Sequence, residues 1–112
     1  MILVLTGGVG GAKLANGLVR TFRPEELTIV VNTGDDFMHL GYFICPDLDS
    51  TLYKLAGIND LERGWGIRKE TWNFMNTLKE VGGDDWFKLG DKDLATHIDR
   101  TKRLSEGQTL SE

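Results

Sequence analysis

Six acidic residues stand in three tight clusters: Asp35 beside Asp36, Asp47 and Asp49 flanking Leu48, and Asp91 and Asp93 flanking Lys92. Carboxylates grouped this way suit a hard divalent cation, because Mg2+ on a phosphorylated ligand is usually held by one or two carboxylates plus phosphate oxygens. A second group points to the same chemistry. Gly7, Gly8, Gly10 and Gly11 fall close together, and Lys13 follows. Glycines opening a helix expose backbone N–H groups and let an anion come close, and a lysine adds a point charge for phosphate. The stretch Gly8-Val-Gly10-Gly-Ala-Lys13 begins like a dinucleotide fingerprint but has Lys in its sixth position, and it lacks the Gly-Lys-Ser/Thr ending of a Walker A loop. Gly7, Gly8, Gly10, Gly11 and Lys13 are therefore candidate phosphate-binding residues; the competing reading is a tight strand-to-helix turn with a surface lysine. For the acids the competing reading is capping: Asp47 or Asp49 of a helix near Ser50, Asp91 or Asp93 of a helix near Leu94.

Other reactive side chains say less. His39 and His97 are too far apart in the chain to define a site, and a lone helical histidine is more often structural than catalytic. The single cysteine, Cys45, excludes an internal disulfide and a multi-thiolate zinc site, and reads as a buried inert thiol. Trp65, Trp72 and Trp86 read as core or pocket walls.

The elements that must position these groups follow from apolar patterning. Ile2 to Leu5 is a continuous apolar run, expected as a strand buried on both faces. The glycine loop 7–11 follows it, then a helix over 12–21 and a second strand over Leu27–Val31. Strand, helix, strand in that order predicts a parallel pair, with Asp35 and the Asp47/Asp49 pair converging at one sheet edge. Residues 37–44 read as loop, Ser50–Ala56 as a helix closed by Gly57, Glu70–Val81 as an amphipathic helix, Trp86–Leu89 as a third short strand and Leu94–Leu104 as a final helix.

The chain has 112 residues, with 13 Lys+Arg against 17 Asp+Glu for a net charge of −4, and 40% hydrophobic residues, which describes one globular α/β unit. An acidic balance argues against nucleic-acid binding, and no apolar run is long enough for a signal peptide or a membrane span. A soluble, cytoplasmic protein is expected. So few strands, and no closing element, suggest the N-terminal part of a larger domain.

Several segments together resemble one family. They are Leu5-Thr-Gly-Gly-Val-Gly-Gly-Ala-Lys13, Val31-Asn-Thr-Gly-Asp-Asp36, Ile44-Cys-Pro-Asp-Leu-Asp-Ser50, Gly64-Trp-Gly-Ile67, Leu89-Gly-Asp-Lys-Asp-Leu-Ala-Thr-His97 and Thr109-Leu-Ser-Glu112. In this order, over residues 1–112, they are similar to the 2-phospho-L-lactate transferases of coenzyme F-420 biosynthesis, whose members are more than twice as long. The resemblance implies that residues 1–112 are the N-terminal part of a single Rossmann-like domain, a parallel sheet flanked by helices. It further implies transfer of a phospholactyl or phosphoenolpyruvyl group from a GMP-linked donor (a guanosine diphosphate derivative) to the deazaflavin alcohol Fo, with Mg2+ and release of GMP. By family pattern Asp49 and Lys88 line the Fo site, Asp35 with Asp49 or Asp47 holds the metal, and Asp49 or Asp47 is the catalytic carboxylate. A homodimer is compatible with this pattern. Ser50 stands where Thr is common and Lys92 where Arg is common. The chain alone is expected to be a poor catalyst.

Two other readings compete. A related Rossmann-like family with a similar glycine loop binds nucleotide sugars as a regulatory module without turnover, but is not expected to share the Pro46–Asp49 and Gly90–Asp93 set. A plain NAD-dependent oxidoreductase needs an acid about twenty residues beyond the loop, which falls near Glu25 or Glu26, before the second strand instead of at its end.

Overall fold

The computed structural model describes residues 1–112, and the chain forms two compact units. The first comprises Met1–Asp36 and Cys45–Arg68; the second comprises Phe37–Ile44 and Lys69–Glu112.

In the first unit β1 (Ile2–Thr6) runs into α1 (Gly8–Val19), and a 3-10 turn at Pro24–Glu26 leads into β2 (Leu27–Val31). The strands pair in parallel from Ile2 with Leu27 to Thr6 with Val31, as strand–helix–strand connectivity requires. The two strands alternate in burial. Val4 and Thr6 are buried, whereas Leu3 and Leu5 are 61% and 75% exposed. The expectation of a strand buried on both faces is thus corrected. Helices cover one side of this two-stranded sheet, and a parallel strand loses both faces to the interior only when helices lie on each. The glycine loop is also tighter than expected. Only Gly7 lies outside the helix, and Gly11 N–H already donates to Gly7 O, closing the first turn. Gly8 takes φ +67°, a left-handed conformation that glycine adopts without a Cβ clash.

α2 (Pro46–Leu55) packs on α1. It begins four residues before the expected Ser50, with Pro46 in its first turn, where a missing N–H costs nothing. Gly57, at φ +71°, lies just past its end.

The second unit begins with a hairpin that the sequence does not announce. β3 (Phe37–His39) and β4 (Tyr42–Ile44) pair antiparallel where a loop was expected. Its two-residue turn has Leu40 at φ 53° and Gly41 at φ 81°, both positive as a type I′ turn demands. Leucine is a poor residue for that conformation, and strands of three residues are too short to show a period. α3 (Asn73–Glu80) and α4 (Asp91–Ser105) complete the unit. The edge of β4 is held by α4, since Phe43 N–H donates to Thr101 Oγ1 (2.8 Å) and Arg100 Nη1 donates to Phe43 O (3.2 Å). Ile44, Met75 and Leu89 form the buried core. Trp86–Leu89, expected as a third strand, pairs with no strand. Its apolar character serves packing: Leu89 is fully buried, and Phe87 meets Phe37 edge-on at 5.2 Å.

Candidate functional site

Two acids of the first unit, Asp35 and Asp47, meet at the carboxyl end of the parallel pair. Asn32 directly follows β2, and its backbone N–H donates to Thr6 O (2.8 Å), so the ladder fixes its position. The Asn32 side chain then donates from one nitrogen to two carboxylates, Asp35 Oδ2 at 3.0 Å and Asp47 Oδ2 at 2.8 Å. Its oxygen accepts the Gly34 N–H at 3.0 Å, the local turn that asparagine side chains favour. Asp35 is exposed and Asp47 buried, so the pair joins an accessible carboxylate to an anchored one. Two oxygens on one amide nitrogen lie within about 6 Å of each other, given ordinary hydrogen-bond lengths. The meeting of Asp35 with the Asp47/Asp49 pair is therefore realised through Asp47.

Gly7 borders the same group. A Cβ placed there would lie 2.9 Å from Asp47 Oδ2 and 3.2 Å from Asn32 Cβ. Its φ of −165° is ordinary extended backbone, so what this position requires is space, not conformational freedom. Gly11 meets a similar demand, because a Cβ there would collide with the Thr6 hydroxyl. No side chain caps the N-terminus of α1, so its first-turn N–H groups stay open at the edge where Asp47 and Asn32 lie.

Capping does not explain Asp47 or Asp49. Cys45 occupies the N-cap of α2 without a side-chain bond, and both acids sit inside the first turn. Their spacing of two residues turns them about 200° apart around the helix axis, so they face different ways. Asp49 is buried, and no hydrogen bond joins it to the Asn32 group. Lys13 is exposed on α1 and lines a cleft of about 80 Å3 with Val9, Tyr53, Lys54 and Trp65.

The acids of the second unit have other occupations. Asp91 caps α3, accepting from Thr71 Oγ1 (2.6 Å), Phe74 N–H (2.9 Å), Asn73 N–H (3.1 Å) and Asn73 Nδ2 (3.0 Å). The Thr71 hydroxyl and then the Phe74 amide hold its carboxyl at about 2, well below the usual range. The expectation that Asp91 or Asp93 caps the helix near Leu94 is corrected. That helix starts at Asp91, and Glu70 caps it by accepting from Lys92 N–H (2.8 Å) and Asp93 N–H (3.1 Å). Asp93 Oδ2 lies 3.3 Å from Nε2 of buried His97, one helical turn on. Arg100 Nη1 stands 3.4 Å from His97 Nδ1, and a guanidinium can only donate, so Nδ1 is the acceptor. Lys88 is exposed in the irregular segment after Trp86.

Sequence reasoning did not single out Asn32, Glu70 or the Asp93–His97 pair. The signal for the last was present in the four-residue spacing on a helix. For Asn32 it lay in the turn-forming Asn-Thr-Gly-Asp run.

A parallel strand–helix–strand opening, glycine where the first strand meets its helix, and carboxylates at the strand ends define an α/β protein of the Rossmann-like kind. The chain belongs to the family described as 2-phospho-L-lactate transferase CofD, which matches residues 2–112. Among its relatives are proteins named phosphoenolpyruvate transferase. Those from Kitasatospora aureofaciens and Nocardia farcinica are 45% and 48% identical, over 99% and 98% of this chain. The one from Mycolicibacterium smegmatis is 47% identical over 99% of it. The chain spans about a third of these relatives' own length, between 33% and 37%. No helix is long and apolar enough to cross a membrane.

Proposed function

We propose that residues 1–112 form the N-terminal part of a single Rossmann-like transferase domain acting in coenzyme F-420 biosynthesis. The reaction is transfer of a phosphorylated three-carbon acid unit from a GMP-linked donor to the hydroxyl of the deazaflavin alcohol Fo, with release of GMP. The relatives' name favours phosphoenolpyruvyl over phospholactyl as the transferred group. The substrates are small molecules, and the cytoplasm is the compartment this reading assigns.

One observation carries the site assignment: Asp35 and Asp47 share one amide nitrogen beside Gly7 at the open start of α1. These donors are all oxygen and anionic, which fits Mg2+ better than a softer metal. In this reading Asp35 and Asp47 hold the cation, which offsets negative charge on the donor diphosphate. The first-turn amides of α1, from Gly8 to Gly10, face donor phosphate, while Gly7 and Gly11 give the turn its room and Lys13 is a further cation. Asp49, turned away from the pair, takes the proton of the acceptor hydroxyl in this reading. Asp49 and Lys88 keep the acceptor-binding roles that the family pattern gives them. Phosphoryl transfer asks a protein mainly for positioning and charge neutralisation, and this set of residues supplies both.

The test places this chain in a protein of its relatives' length and measures GMP release with Mg2+, Fo and the phosphoenolpyruvyl donor. Turnover that needs both Fo and Mg2+, and that Asp35→Asn abolishes, is the expected outcome. Donor binding without release of GMP would replace the transferase by a non-catalytic binding module.

A further inference from the structure

Two carboxylates brought side by side, one exposed and one buried, repel each other, so something must hold them there before a cation arrives. We propose that Asn32 is a positioning residue that sets divalent-cation affinity by clamping Asp35 and Asp47 together. The inference rests on the cation-binding role given to those two acids above.

The clamp uses the whole side chain. The Asn32 nitrogen donates one hydrogen to Asp35 (3.0 Å) and the other to Asp47 (2.8 Å), while its oxygen accepts the Gly34 N–H (3.0 Å). The orientation of the amide is unambiguous. Turned over, it would set its oxygen against two carboxylates and its hydrogens against an N–H. Few residue types can do this work. A serine or threonine hydroxyl has one hydrogen to give, and a lysine would bridge both acids but neutralise the charge that attracts the ion. A primary amide gathers two anions and stays neutral.

The clamp is itself clamped. The Asn32 N–H bonds to Thr6 O (2.8 Å), so the parallel ladder fixes where the side chain begins. On the other side Gly7 leaves just enough room for Asp47 Oδ2, which a Cβ would approach to 2.9 Å. Asp47 therefore rests between a backbone that cannot move toward it and an amide that holds it. Partners of metal-binding carboxylates that act in this way typically change metal affinity by about 10- to 100-fold when removed.

Calorimetric titration of Mg2+, repeated with Mn2+ by electron paramagnetic resonance, tests the proposal on the chain and its variants. Asn32→Ala is expected to weaken binding by about 10-fold or more. Asn32→Ser keeps an acceptor for the Gly34 N–H but has a single hydrogen, so it carries the test if Asn32→Ala does not fold. Thr33→Ala, in the same turn, should bind as the parent does. In a protein of the relatives' length, Asn32→Ser should raise the Mg2+ concentration for half-maximal rate, while the rate at saturating Mg2+ returns to within a few-fold. A fold defect would not show that split. Equal Mg2+ affinity in parent and Asn32→Ser would overturn the positioning role and leave the cation reading standing. A parent chain that binds neither ion would overturn both.

Discussion

The two units each carry an Asp-x-Asp pair at the start of a helix, and they use it in opposite ways. In the second unit every hydrogen bond of Asp91 goes to the residues that open α3, three of them backbone or side-chain groups of Asn73 and Phe74. Its neighbour Asp93 pairs with His97 on the same helix. In the first unit the Asp47 carboxylate takes nothing from the N–H groups of its own helix start; it accepts from an asparagine that also holds Asp35. The difference lies in the donors each pair meets. Backbone N–H groups consume a carboxylate in holding the fold, whereas a single neutral amide leaves most of its lone pairs available to a ligand.

The sharpest way to break this contrast is Asp49→Asn, in a protein of the relatives' length. Asparagine keeps the size and hydrogen-bonding groups of aspartate but is a poor base and a poor Mg2+ ligand. Turnover should fall by about 10²-fold or more in a variant that still folds, as its circular dichroism checks. Near-normal turnover would return Asp49 to a structural role.

A tenfold effect is expected from Gly7→Ala. The backbone angle suits alanine, so its cost is steric, with the new Cβ pressing on Asp47 Oδ2 and Asn32 Cβ. Mg2+ affinity measured by calorimetry should drop by about 10-fold, as for loss of a supporting contact to a ligand. An unaltered affinity would mean that Asp47 can shift without consequence.

Asp91→Ala should show the reverse pattern. Melting temperature should fall by several degrees with loss of the α3 cap, while Mg2+ affinity stays within about twofold. A variant with normal stability and weakened Mg2+ binding would erase the distinction between the units.

The smallest effect is one of pH. The Asp91 carboxyl lies at about 2 in the folded chain, depressed by the Thr71 hydroxyl and the Phe74 amide. A depressed carboxylate stabilises the fold fully above its unfolded value, about 3.9, and loses that contribution as pH falls through the folded value. Amide hydrogen exchange at Asn73 and Phe74 should thus show the cap weakening progressively from about pH 4 to pH 2, a step absent from Asp91→Ala. Loss of the cap already at pH 5 would contradict the assignment.

Local chemistry made much of this protein readable from the chain alone. The apolar runs at Ile2–Leu5 and Leu27–Val31, with glycines between them and a helical pattern after, require a strand–helix–strand start, because patterning and backbone freedom are short-range properties. The same local reading mistook Phe37–Ile44 for loop and Trp86–Leu89 for a strand. The first hides its pairing in three-residue strands with leucine in a left-handed turn, and the second has the composition of a strand but spends its apolar side chains on packing. Acid clusters were legible as clusters, yet their purposes were not. A carboxylate's role depends on which donors reach it, and the donors to Asp47 and Asp91 come from residues 15 to 20 positions away in the chain. Only tertiary structure decides that Asp47 meets Asn32 while Asp91 meets Thr71 and Phe74, since hydrogen bonds act over about 3 Å of space whatever the distance along the sequence.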